Sequence, residues 1–155
     1  MRKLHAKDGT EFLVDDGDVG LVMQYKWYIG HNGYVYSTSK GGNVRLHRLI
    51  MGAKKGEVVD HIDHNPLNNT RKNLRKCTSQ QNNFHRRPVK TEKSSSQYKG
   101  VILKNGRWNA CMRINGIKKS LGTFDAEIDA AKAYDNAARS YQGEFAYLNF
   151  QEGED

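Results

Sequence analysis

Two Asn-Gly pairs, Asn105-Gly106 and Asn115-Gly116, separate three alternating runs, YKGVILK, RWNACMRI and KKSLGTF. Asn-Gly supplies the two positive-φ residues of a tight hairpin turn, so the three runs read as an antiparallel meander. The next segment, DAEIDAAKAYDNAARSYQG, changes period and reads as a helix. Asp125 is the expected N-cap, acidic residues in the first turn suit the positive end of the helix dipole, and Gly143 closes the helix. Its small residues (Ala130, Ala131, Ala133, Ala137, Ala138) let helix and sheet approach closely. Phe124, Tyr134, Leu148 and Phe150 are the expected core of this part.

The first 45 residues hold the short runs EFLV, QYKWYIG and GYVYSTS between Asp-Gly, Asn-Gly and Gly-Gly turn signals. They predict a small antiparallel sheet carrying Trp27, Tyr28, Tyr34 and Tyr36. The run VRLHRLIM at 44–51 fits either a strand or the first turns of a helix. A strand over Glu57–Ile62, an Asn-rich loop and a strand near Asn73–Cys77 follow. A helix capped by Thr78 or Ser79 then runs to Arg86 or Arg87 and ends before Pro88. VKTEKSSSQ has the composition of a flexible linker. The expected fold class is therefore α+β in two domains, 1–88 and 98–150, joined by a linker over 89–97.

Charge narrows the function. The chain of 155 residues carries a formal charge of +8, which favours a polyanionic partner. Residues 46–97 hold eleven basic and four acidic side chains, and residues 98–120 hold six basic and none acidic. Residues 121–155 reverse the balance, with two basic against eight acidic. Each part is therefore expected to have a basic face. No apolar run approaches the roughly 18–20 residues that span a bilayer, and the N-terminus lacks the apolar stretch of a signal peptide. Cys77 and Cys111 lie far apart without a CxxC partner, which argues against a cysteine zinc site or a disulfide framework and for a reducing cytoplasm.

Within VVDHIDHNPLNNTRKNLRKCTSQQNN, Asp60 and His61 end an apolar run and Asn82 falls at the start of the helix. Cleaving a phosphodiester needs a base near neutrality and a hard cation on the phosphate, which an imidazole and a few oxygen ligands can provide. Adjacent residues on a strand face opposite ways, so Asp60 and His61 share a site only if the strand ends or bulges there.

The run HRLI…VVDHIDHNPLNN…NLR…SQQNN, residues 44–86, resembles the HNH homing-type endonucleases. The resemblance implies a motif of two strands and a helix around one metal (the ββα-metal motif, about 44–87). It implies His61 as the general base, Asn73 as the residue that braces the loop and orients the base, and Asp60 and Asn82 as ligands of a divalent cation, Mg²⁺ or Mn²⁺. His47, His64, Asn83 and His85 are accessory candidates. Asn83 competes with Asn82 for the ligand position, and His64 stands where the family often has Gly. Arg48, Arg71, Arg75, Lys76 and Arg86 are candidate phosphate contacts.

Residues 98–150, with YKGV, Trp108, LGTF, AAKAYD and LNF in order, are similar to the ethylene-response-factor (APETALA-type) DNA-binding domain. That resemblance implies a three-stranded sheet on one helix, reading DNA through Lys99, Lys104, Arg107, Trp108, Arg113, Lys118 and Lys119. Trp108 serves equally as a packing residue. Cys111 replaces an acidic position of the family, so the family's sequence preference does not carry over.

The expected function is a homing-type, metal-dependent DNA endonuclease with a C-terminal recognition domain, acting on double-stranded DNA in the cytoplasm of a bacterial or phage-infected cell. A non-catalytic DNA-binding regulator is the alternative, and an RNA-directed protein a third. No membrane or protein partner is implied. Oligomeric state, recognition sequence and nicking versus double-strand cleavage stay open.

Overall fold

The computed structural model describes residues 1–39, 42–92 and 94–150. Gly41 of the Gly-Gly signal, Lys93 and the three acidic residues after Phe150 lie outside the described residues. The chain divides into two compact units, Met1–Ser79 and Gln80–Asp155.

In the first unit, β1 (Arg2–His5) and β2 (Glu11–Val14) form an antiparallel hairpin. β1 lacks a hydrophobic alternation and was not foreseen; it is held by pairing with β2. Phe12 and Val14 alternate inward from β2. A short helix α1 (Val19–Val22) comes next. The run QYKWYIG is strand only at β3 (Tyr28–Ile29). Its earlier part is taken by turn bonds from Gln24 and Tyr25 back to α1. Trp27 instead enters the core, its Nε1–H donating to the Val22 carbonyl at 2.8 Å.

β4 (Val35–Ser39) pairs with β3 on one side and β5 (Gly42–Arg45) on the other. The run 44–51 divides between strand and helix: β5 ends at Arg45 and α2 (Leu46–Ile50) begins at once. β6 (Val58–His61) and β7 (Leu74–Cys77) form a separate antiparallel pair. A core of Phe12, Val14, Val22, Trp27, Val35, Leu46, Ile50, Val59 and Leu74 joins these elements. The Asn-rich loop is tied to β2 by two backbone bonds, Leu13 N–H to Leu67 O and Asn69 N–H to Leu13 O, both 2.8 Å.

Helix α3 (Ser79–His85) starts on the boundary and belongs, from Gln80 on, to the second unit. That unit contains the expected meander of β8 (Val101–Lys104), β9 (Arg107–Ile114) and β10 (Ile117–Phe124). Both residues of each Asn-Gly pair have positive φ, between 49° and 81°, as the tight turn requires. The β9–β10 register shifts between Ser120 and Gly122, a bulge.

Helix α4 (Glu127–Gln142) packs Ala130, Ala131, Tyr134 and Ala138 into the core and stops at Gly143, φ 56°. Its N-cap is Ala126, not Asp125, and makes no side-chain cap bond. Asp125 instead accepts from Arg107 Nε at 2.9 Å. Tyr134 is buried as expected, while Phe124, Leu148 and Phe150 pack partly buried against the core.

Candidate functional site

Strand β6 ends at His61, with Asp60 just before it. Both are buried there, at 9% and 4% exposure. After the strand, Ile62 N–H still donates to Asn73 O, and His64 turns the chain with φ 59°. A positive φ is what glycine adopts without strain, so His64 holds a backbone conformation that favours glycine.

Cross-strand register sets the surroundings of Asp60. It lies opposite Arg75, and Arg75 Nε and Nη2 donate to Asp60 Oδ2 at 3.0 and 2.9 Å. Both side chains are about nine-tenths buried, so the carboxylate keeps its charge compensated away from water.

The loop from Ile62 to Thr70 is shaped by its own amides. Asp63 Oδ1 accepts from Asn65 N–H at 2.8 Å, and Asp63 Oδ2 from Asn68 Nδ2 at 2.7 Å. Burial pushes the Asp63 carboxyl up, but donors from Asn65, Asn68 and Asn73 outweigh it and hold the group below its ordinary range. Asn73 is buried and spans the loop: its Oδ1 accepts from Asp63 N–H, while its Nδ2 donates to Asp63 Oδ1 and Asn68 O.

Asn69 is wholly buried. Its Nδ2 donates to Pro66 O at 3.1 Å, which turns its Oδ1 toward His61 Nε2 at 3.3 Å. An acceptor facing Nε2 assigns the proton to that nitrogen, leaving the lone pair of neutral His61 on Nδ1. Burial lowers the His61 pKa, opposed by Asn69, Asp63 and Asp60, so the ring is neutral at pH 7. Asn69 read from sequence only as a turn-shaping residue.

His47, on α2, lies 5.1 Å from the His61 ring and 5.2 Å from that of Tyr34, centroid to centroid. Among the described residues its buried Nδ1 has no hydrogen-bond partner. Burial, then the neighbouring charges of His61, Arg45 and Arg48, pushes its pKa down to about 3, so it too is neutral.

Asn82, Asn83, His85 and Arg86 are in the second unit. On α3, Asn82 is half-buried and His85 buried, while Asn83 is exposed and lines a cavity of about 710 Å³ with Phe84, Lys99 and Tyr134. Arg86, just past the helix, is exposed. Among the described residues no three His, Cys, Asp or Glu side chains cluster as a metal cage. Asp60 and Asn82 each carry a hard oxygen of the kind a divalent cation takes. The orphaned His47 nitrogen would suit a softer metal, but no acidic or thiol group completes such a set among the described residues.

Several basic candidates have partners within their own unit. Arg48 donates to the carbonyls of Glu57 and Lys54, Arg71 makes three bonds to Asp18, and Lys76 pairs with Glu57. In the second unit Ala110, Met112 and half-buried Trp108 face the helix. Strand alternation therefore puts Arg107, Cys111 and Arg113 on the outer face, with Lys104 and Lys118 directly opposite Arg107 and Arg113. Lys119 sits opposite inward Met112. Lys99 precedes the strands and turns its ammonium to α3.

A family model described as HNH endonuclease matches residues 44–84. An uncharacterized HNH endonuclease of Acanthamoeba polyphaga mimivirus is 39% identical over 148 residues, covering 91% of this chain and 75% of the relative. An AP2/ERF and B3 domain-containing transcription repressor of Arabidopsis thaliana is 45% identical over 58 residues, 37% of this chain and 16% of that protein. APETALA2-like protein 2 of Oryza sativa subsp. indica is 47% identical over 62 residues, 38% of this chain and 14% of its own length. The chain thus spans under a fifth of either plant protein. The mimivirus match runs through both units, and the family model covers β6, the Asn-rich loop, β7 and nearly all of α3; the chain belongs to the HNH endonuclease family.

Proposed function

We propose that the chain is a metal-dependent, homing-type DNA endonuclease, with the nuclease in residues 1–88, a linker over 89–97 and a DNA-recognition domain over 98–150. The observation that carries this reading is His61 itself. It is a buried neutral imidazole whose Nε2 is engaged by Asn69, leaving Nδ1 to accept a proton from the attacking water. Asn73 holds the loop that carries Asn69. Asp60 and Asn82 would hold a divalent cation, Mg²⁺ or Mn²⁺. When bound, such a cation neutralises charge on the phosphoryl oxygens and stabilises the leaving oxygen. Asn83 points to the cavity beside the sheet, which favours Asn82 as the ligand. His47 supplies a second neutral ring behind His61.

The outer face of the sheet, with Lys104, Arg107, Arg113 and Lys118, is the proposed contact with double-stranded DNA; a small sheet of this kind fits the major groove. Similarity to plant AP2/ERF proteins supports that role for 98–150. Trp108 packs toward the helix and serves the fold. The viral source of the mimivirus relative supports a virus-infected cell as the setting.

A plasmid-nicking assay with Mg²⁺, with EDTA, and with His61→Ala tests the proposal. Cleavage that needs both metal and His61 is expected. Equal cleavage by wild type and His61→Ala would sink the mechanism. Sequence-specific binding without cleavage of any DNA would favour a non-catalytic regulator.

A further inference from the structure

Helix α3 spans seven residues, Ser79–His85, and carries Asn82. Isolated helices shorter than about 12–15 residues are marginal in water, so α3 depends on what holds it. Its last carbonyls have no partner within the helix, and the negative end of its dipole favours a cation.

Lys99 meets both needs. Its Nζ donates to Phe84 O, in the last turn, and to Arg86 O at 2.7 Å, just beyond the helix. The ammonium also lies 5.1 Å from the centroid of the Tyr147 ring. Two carbonyls and one aromatic face match the three N–H donors of an ammonium.

The other end of Lys99 is clamped. Its backbone N–H donates to Asn149 Oδ1 at 2.7 Å, and its carbonyl accepts from Asn149 Nδ2 at 3.1 Å. Asn149 is in turn bound through its N–H and Nδ2 to Asp135, a buried carboxylate of α4. An unbroken chain of bonds therefore runs from α4 through Asn149 and Lys99 to the end of α3. Burial, then Arg86, pushes the Lys99 pKa down to about 8, as for a cation held within packed structure.

We propose that Lys99 is the positioning residue for Asn82: by fastening the last turn of α3 to the sheet-and-helix unit, it sets where the Asn82 amide stands. The metal ligand and the DNA-reading sheet then move as one body, and the C-terminal domain contributes to the chemistry as well as to binding. This inference rests on the reading of Asn82 as a ligand.

The test uses the full chain, wild type and Lys99→Met, with two readouts: amide hydrogen exchange and Mn²⁺ binding by calorimetry. Exchange should accelerate in α3 and hold in β8–β10. Mn²⁺ affinity should fall roughly tenfold or more, the range for supporting residues around a metal. Lys99→Arg should restore Mn²⁺ affinity. If β8–β10 also lose protection in the Met variant, Lys99→Gln, which keeps two donors, replaces it. Asn82→Ala separates the two claims. If Asn82→Ala weakens Mn²⁺ binding and the Lys99 variants do not, the positioning role is overturned and the ligand reading stands. If Asn82→Ala has no effect on Mn²⁺, the ligand reading falls and takes the inference with it.

Discussion

Replacing Asn69 with aspartate exchanges one NH₂ for an oxygen at a residue with no exposed surface, 3.3 Å from His61 Nε2. Two effects follow. The bond to Pro66 O is lost, and a carboxylate replaces a neutral acceptor beside the imidazole. Unit charges at that separation and an effective dielectric of about 20 attract by about 5 kcal/mol. The desolvation of a buried carboxylate offsets much of this, and the remaining attraction raises the His61 pKa. Burial holds wild-type His61 below its ordinary range, so the variant ring should keep its proton to higher pH than the wild type does. A general base acts in its neutral form, so activity falls on the acid side of its pKa. The variant should therefore lose about ten- to a hundredfold in nicking rate near pH 6 and recover most of it near pH 9. Imidazole ¹⁵N shifts in the metal-free protein give an independent check, because they report both the pKa and which nitrogen carries the proton. Wild type should show the Nε2–H tautomer. A uniform loss of rate at every pH, with the imidazole titration unmoved, would refute the link between Asn69 and His61.

Other consequences are open to simpler measurement. At Gly100, φ +77°, an added Cβ would stand 2.0 Å from the Tyr134 ring and 2.8 Å from Cys111 O, so Gly100→Ala should destabilise the second unit by about 2–5 kcal/mol in urea unfolding. Arg71→Met strips the guanidinium from Asp18, which is 5% exposed, and should lower the stability of the first unit by about 1–3 kcal/mol, with Asp18→Asn in the same chain recovering part of it. On the outer face, Arg113→Ala and Lys118→Ala should each lower the slope of log affinity against log salt by about 0.9 if the residue contacts a phosphate. A slope unchanged in both would remove this face from the DNA contact.

What the sequence made legible was local. Asn105-Gly106 and Asn115-Gly116 set their turns through their own backbone preferences, and Gly143 ended α4 for the same reason. The Asn-rich loop announced where β6 stops. What escaped depended on partners far along the chain. β1 has no pattern of its own and exists through its register with β2. Asp125 looked like a cap but found Arg107, 18 residues away. The Arg75–Asp60 pair requires the β6–β7 register, and the orientation of Asn69 requires the fold of its loop. Lys99 looked like one more strand cation until the chain brought the end of α3 to it.

The same distinction changes how the charge should be understood. An excess of Lys and Arg in 46–97 suggested a basic face around the nuclease residues, yet Arg48, Arg71 and Arg75 bond to carbonyls or buried carboxylates of their own unit. Cations already paired release fewer counterions on meeting a phosphate backbone, so they add less to affinity. On the sheet, Lys104, Arg113 and Lys118 are exposed, and the Arg107–Asp125 pair is solvated on both sides, the kind worth little and easily exchanged. Electrostatic attraction for DNA is therefore weighted toward the second unit. Under the proposed function, recognition there comes first and raises the local concentration of substrate for the nuclease residues. The compensated charge around Asp60 and His61 then serves orientation of the base and ligand rather than capture of DNA, and that division of labour predicts cleavage specificity that follows the sheet.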